Sequence, residues 1–145
     1  MSSLNNGKFF LLTGTDSQTH IVYNALTLEE VSNVKLTCKD SNDYDVTYFY
    51  STMLSYDGSY LVGGDGTTRH IFDQQGKFIK SISGRNIYTV FMYGKTSFCG
   101  AKNSDETYTK SHLVEVDFIS DKETIIYEFE TYISTIYLNE DNSGF

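Results

Sequence analysis

Three histidines come closest to forming a chemical pattern in this sequence. His20 is followed by Ile-Val, His70 by Ile-Phe and His112 by Leu-Val. An apolar run ending in glycine precedes each: Phe10-Leu-Leu-Thr-Gly14, Tyr60-Leu-Val-Gly-Gly64 and Ser97-Phe-Cys-Gly100. Imidazole changes charge near neutral pH and works as acid, base or metal ligand. Histidines recurring at one place in a repeat are therefore a ring of like small sites, a pH-sensitive surface, or a structural residue copied with the repeat. The last is the expectation, with each ring bonded to neighbouring backbone. Neighbouring units would hold the rings too far apart to share one metal ion.

Other candidates are weaker. Asp40-Ser-Asn42-Asp43-Tyr-Asp45 alternates oxygen ligands as calcium loops do, but lacks the turn glycine and the bidentate glutamate. A solvated loop is expected there. Thr52, Thr89 and Thr135 share one register and either line a channel or are satisfied within their own sheet. Tyr108, within the 102–110 stretch, is an aromatic candidate for recognition, or part of a variable loop. Cys38 and Cys99 are too far apart in sequence to suggest a metal site and read as two free thiols in a reducing, cytoplasmic setting. No Gly-x-Ser-x-Gly, phosphate loop or paired His-carboxylate motif occurs. The chain is expected not to be an enzyme and to hold no cofactor or metal.

Eleven basic against nineteen acidic residues give a net charge of −8. Nucleic acid and anionic membrane surfaces are poor partners for such a chain. The N-terminal stretch has no signal-peptide pattern, and no apolar run is long enough to span a membrane.

The elements that must position these residues are strands. Tyr (12) and Phe (10) supply the bulk, Trp and Pro are absent, and 145 residues suffice for one domain with a core. Between Met53 and Ile82, Asp57-Gly58, Asp65-Gly66 and Gln75-Gly76 separate four short apolar runs, which is the pattern of a four-stranded meander. Lettering strands a to d, this unit covers residues 49–82. A second covers 87–129. A third has b, c and d within 8–36 and no a strand before it, because only a polar tail precedes Lys8. At the other end, Ile133–Leu138 reads as an a strand with no b after it. Thr52, Thr89 and Thr135 recur at thirty-seven and forty-six residues, close to the propeller-blade repeat of about 40–50. The chain therefore reads as all-β: three four-stranded units, circularly permuted, with 133–138 completing the unit at 8–36.

Leu54-Ser-Tyr-Asp-Gly-Ser-Tyr-Leu-Val-Gly-Gly, Asp65-Gly66-Thr67 and Ile71-Phe72-Asp73 resemble the a–b passage, the b–c turn and strand c of a WD-repeat propeller blade. Phe72-Asp73 stands where that family has Trp-Asp. Tyr23-Asn24 and Glu115-Val116 fit the same place only as generic strand, and the family's Gly-His pair is missing. The resemblance implies β-propeller architecture, most specifically over residues 53–82.

Three blades do not close a ring, since propellers typically use four to eight. An open arc exposes two strand edges, Lys8–Thr13 and Ile133–Leu138, with no Pro to blunt them. The expectation is a homodimeric six-bladed propeller. Its seam would pair Phe9, Phe10, Leu11 and Leu12 of one copy with Ile133, Thr135, Ile136 and Leu138 of the other. The expected function is a non-catalytic protein–protein interaction module, an adaptor or inhibitor. It would use the rim or face of the ring, with Tyr108, His20, His70 and His112 as contact candidates and a protein of unknown identity as partner. The alternative is a carbohydrate-binding propeller lectin with repeated sites. An enzyme with a site at the channel mouth ranks third.

Overall fold

The structure, a computed structural model, describes residues 2–5, 8–16, 18–66, 68–83, 85–103 and 109–136, with the main chain alone at 2–5 and at Thr89. These residues are all-β, as the strand-rich composition implies, and none of them is helical. Sheet one comprises β1 (Ser2–Asn5), β2 (Phe9–Thr13), β3 (Thr19–Asn24) and β4 (Glu30–Lys35). A connector carries a small hairpin of β5 (Cys38–Lys39) and β6 (Asp45–Val46). Sheet two follows as β7 (Ser51–Leu54), β8 (Tyr60–Asp65), β9 (Thr68–Asp73) and β10 (Phe78–Ile82). Sheet three is β11 (Ile87–Tyr93), β12 (Ser97–Asn103), β13 (Ser111–Asp117) and β14 (Lys122–Phe129). Within each sheet the strands are antiparallel and lie in sequence order. The first strands of the three sheets, β1, β7 and β11, are neighbours.

Two apolar layers join the sheets. Leu61 opposes Phe72 across the β8–β9 ladder, and Val62 opposes Ile71. All four are fully buried. Successive strand residues point to opposite faces, so the first pair meets Leu11 and Val22 of sheet one, with Leu36 and Phe49 of the connector. The second pair meets Phe98, Val114 and Val116 of sheet three. Sheet two is thus apolar on both faces, which is why β8 reads as a continuous apolar run rather than an alternation. Tyr60 also packs edge-on against Phe118, with ring centroids 5.3 Å apart.

Without proline, the turns are tied by Asp and Asn side chains. Each third strand ends in such a residue. Asn24 Oδ1 accepts from the N–H groups of Leu26 and Thr27, Asp73 Oδ1 from Gln75 and Lys77, and Asp117 Oδ1 from Ile119 and Ser120. In sheet three the counterpart of Phe72-Asp73 is therefore Val116-Asp117, one residue beyond the pair expected from sequence. Gly76 (φ 77°) closes the β9–β10 turn where an added Cβ would meet Val34 at 2.8 Å, so this turn seats directly on sheet one.

The edge of sheet one corrects the expected permutation. Ser2–Asn5 is a strand, not a loose tail, and pairs with Phe9–Leu12 from Asn5↔Phe9 to Ser2↔Leu12. Residues 133–136 form no strand, and the Ile133 N–H instead donates to Ser111 Oγ at 3.0 Å. The reason is loop closure: three residues separate β1 from β2, so the local hairpin forms at small entropic cost. Leu138 lies outside the described residues.

Candidate interaction site at one end of the central sheet

The β8–β9 turn and the connector from sheet one meet at the same end of sheet two. The Tyr50 N–H donates to Gly64 O at 2.8 Å, tying the connector to that turn. Arg69 braces it from within: its Nη1 donates to Gly66 O at 2.6 Å and Thr68 O at 3.0 Å, while burial lowers the guanidinium pKa against the opposing pull of Asp65. Upstream, Asp40 organises the β5–β6 hairpin, its Oδ1 accepting from the N–H groups of Asn42 (2.8 Å) and Tyr44 (3.0 Å). Lys39 pairs with Asp45 at 2.9 Å. Between this hairpin and the sheet lies a recess of about 490 Å³ lined by Lys39, Asp40, Ser41, Asp65, Thr68, His70, Ser81 and Ser83. The recess carries two carboxylates, Asp40 and Asp65, against one ammonium, Lys39, which pairs with Asp45; Asp65 in turn stands beside Arg69 and His70.

His70 forms the floor. The absence of a side chain at Gly63 lets the Phe49 ring lie on β8; an added Cβ would come within 2.6 Å of it. Phe49 in turn stands nearly edge-on to the imidazole, centroids 5.8 Å apart. The imidazole is buried, with Nδ1 2.8 Å from Ser81 Oγ and 3.3 Å from Cys38 Sγ. Its Nε2 lies 3.2 Å from Asp65 Oδ2, at ion-pair distance but off the line of a hydrogen bond. Burial, then Asp65 and Asp40, push the Cys38 thiol up to about 11, so it stays protonated at neutral pH.

Around the recess the connector exposes aromatic surface. Tyr44, Tyr48 and Tyr50 stand out in solvent, Tyr50 at 77 %, while Phe49 between the last two is buried. Tyr48 and Tyr50 meet edge to face at 5.3 Å. Large amphipathic rings on an anchored segment are the side chains that dominate protein recognition.

The three histidines share a register, each near the start of a third strand, but stand on three separate sheets. Their partners differ. His20 lies opposite Thr13 and Val34, with Nδ1 3.3 Å from Thr13 Oγ1 and Nε2 buried and unpaired; burial lowers its pKa, against Asp16. His70 lies opposite Gly63 and Ser81. His112 lies opposite Lys102 and Glu128, 3.8 Å from the carboxylate. Backbone satisfaction of the rings, expected from sequence, gives way to side-chain partners, because the facing strands put different residues across from each ring. Tyr108 lies outside the described residues. Of the expected seam, Leu11 is buried in the first apolar layer and Phe9 packs against it. Phe10 stacks on Tyr23 at 5.2 Å on the opposite face, beside exposed Leu12. Ile133 and Ile136 are half-buried and Thr135 is exposed.

Sequence reasoning passed over Tyr44, Tyr48 and Tyr50, although Tyr44-Asp-Val-Thr-Tyr-Phe-Tyr50 is the densest aromatic stretch of the chain. Asp65 and Ser81 around His70 had no signal, since only cross-strand register brings them together.

No protein-family model matches the sequence, and no curated protein matches it significantly. Solved structures do resemble the fold. Hydrazine synthase of Kuenenia stuttgartiensis superposes with a TM-score of 0.57 at 11% identity, over 97% of this chain and 39% of that one. Hsv2 of Kluyveromyces marxianus gives 0.52 at 13%, over 92% and 49%. The WD40 domain of SCAP from fission yeast gives 0.51 at 12%, over 90% and 31%. The chain thus spans between about a third and a half of the structures it matches. At such identities the likeness concerns fold alone: the chain resembles the β-propeller of WD40 domains.

Proposed function

We propose that this chain is a protein-interaction module, an adaptor or inhibitor, that recognises its partner through the tyrosine rim and acidic recess at the β8–β9 end. The observation that carries this reading is the segment Tyr44–Tyr50, which exposes three tyrosines while Phe49 anchors it in the core. Propellers of the WD40 type are in general interaction modules, which supports it as a fold-level analogy. The carboxylates of the recess favour a basic segment of the partner. The free, buried cysteines suit a cytoplasmic setting. The histidines carry three different partner sets, so nothing favours a ring of identical sugar sites.

The module works as half of a ring closed by a second copy. Sheet one turns Phe10, Leu12 and Tyr23 away from sheet two, and the outermost strand of sheet three exposes Ile125, Ile126 and Tyr127. Face-to-face packing of this kind already joins the sheets within the chain, and two copies would reach six blades, within the usual range.

Affinity purification compared by quantitative mass spectrometry tests the recognition. A protein held by the wild type is expected to be lost from a Tyr48→Ala/Tyr50→Ala variant that melts normally. Equal capture by both would remove the tyrosine rim from the argument.

A further inference from the structure

The trio Asp65, His70 and Ser81 has the order of groups that activates a hydroxyl. Ser81 Oγ is 2.8 Å from Nδ1 of a buried imidazole, and a carboxylate oxygen stands 3.2 Å from the other ring nitrogen. The Asp65 carboxylate favours the tautomer protonated at Nε2, which makes Nδ1 the acceptor, facing the Ser81 hydroxyl at 2.8 Å and the Cys38 thiol at 3.3 Å. Ser81 itself is exposed and opens into the recess of about 490 Å³. The ring nitrogens exchange the roles they have in familiar serine hydrolases, but the acid–base logic is unchanged. The off-axis Asp65 contact is of the kind that tightens when ligand binds.

The repeat supplies the second observation. The histidine recurs in every sheet, and among the described residues sheet two alone combines a hydroxyl on the fourth strand with an acid beside the ring. The residue across from His20 is Val34, and the one across from His112 is Glu128. His20 has a hydroxyl, Thr13 Oγ1 at 3.3 Å, and His112 an acid, Glu128 at 3.8 Å, so what sets His70 apart is the two together. Cys38, the other group facing Nδ1, is buried and protonated, so Ser81 is the nucleophile that a substrate can reach.

We propose that Ser81 is a nucleophile that accepts the acyl group of a small carboxylic ester bound in this recess, with His70 as its general base and Asp65 as a positioning residue. Ser81 Oγ attacks the ester carbonyl as its proton moves to Nδ1. The tetrahedral adduct collapses, the ester C–O bond breaks, and the leaving alcohol takes the proton from the imidazolium. Water, deprotonated by the same imidazole, then releases the carboxylic acid and restores Ser81. The proposal does not rest on the tyrosine rim, but it gives the recess to an ester, so a basic partner segment would compete for that space.

The folded chain is treated with a fluorophosphonate probe, and the adduct is mapped by peptide mass spectrometry. Labelling is expected on Ser81, and absent after urea unfolding. Ser81→Ala is expected to lose it and His70→Gln to slow it at least a hundredfold, whereas Cys38→Ser keeps it. Asp65→Asn is expected to slow it at least tenfold at an unchanged melting temperature, with Asp65→Glu recovering part of the rate. Should the wild type melt cooperatively with Ser81 unlabelled, or His70→Gln label at the wild-type rate, the trio is a strand-joining contact and the proposal is overturned.

Discussion

Cys38 and Cys99 are both free and buried, and burial pushes their thiols up to about 11 and about 12, with nearby carboxylates acting in the same direction. The thiolate is the reacting form. At pH 7 a disulfide reagent is therefore expected to give no colour with the folded chain and two equivalents after denaturation; prompt reaction of the native protein would contradict their burial. Asp16 has shifted the other way. The Thr19 N–H, then the Thr19 hydroxyl and the Gln18 N–H, hold its carboxyl at about 2, below its ordinary 3.8. A carboxyl depressed by folding stabilises above its unfolded pKa, and that contribution disappears as pH falls through the folded value. The difference in melting temperature between wild type and Asp16→Ala is thus expected to be full at pH 5 and to shrink between pH 4 and pH 2. A difference constant across that range would show that the turn's hydrogen bonds do not depend on the charge.

At the scale of elements, the turns were legible and the partners across strands were not. Asp57-Gly58, Asp65-Gly66 and Gln75-Gly76 stand out because a left-handed backbone favours glycine, and those glycines have φ of 75°, 70° and 77°. The recurrence of the histidines likewise survives as a shared register. What a ring touches depends on the strands and connector facing it, and the pairing of the fourth strand carries an irregularity in every sheet. Counting along the sequence does not find Ser81 opposite His70. Ser2–Asn5 was missed because its polar run has no alternation, and pairing with β2, not propensity, makes it a strand. Ile133–Ile136 has three β-branched residues in four and forms no strand. Gly63→Ala is expected to destabilise the chain by about 1–3 kcal/mol, as Phe49 must move off β8. Leu61→Ala should cost about 2–5 kcal/mol, since it opens a cavity between sheets one and two. Urea titration reads both, and an unchanged midpoint for Gly63→Ala would show that Phe49 has room to shift.

For the whole molecule, three sheets in series leave two broad faces without a neighbour among the described residues. Native mass spectrometry is expected to give twice the chain mass, and Leu12→Glu to return the monomer. Leu12 is exposed within the chain, so that substitution leaves the apolar layers untouched. A wild type that stays monomeric at micromolar concentration would overturn closure by a second copy.

The hairpin of β1 on β2 has one more effect. Main-chain pairing over four residues sets Ser2–Asn5 against β2. A foreign extended peptide offering the same N–H and C=O groups would compete for the berth. Trimming Ser2–Asn5 would bare the N–H and C=O groups of β2 that it now engages, and should turn a quiet margin into an adhesive one.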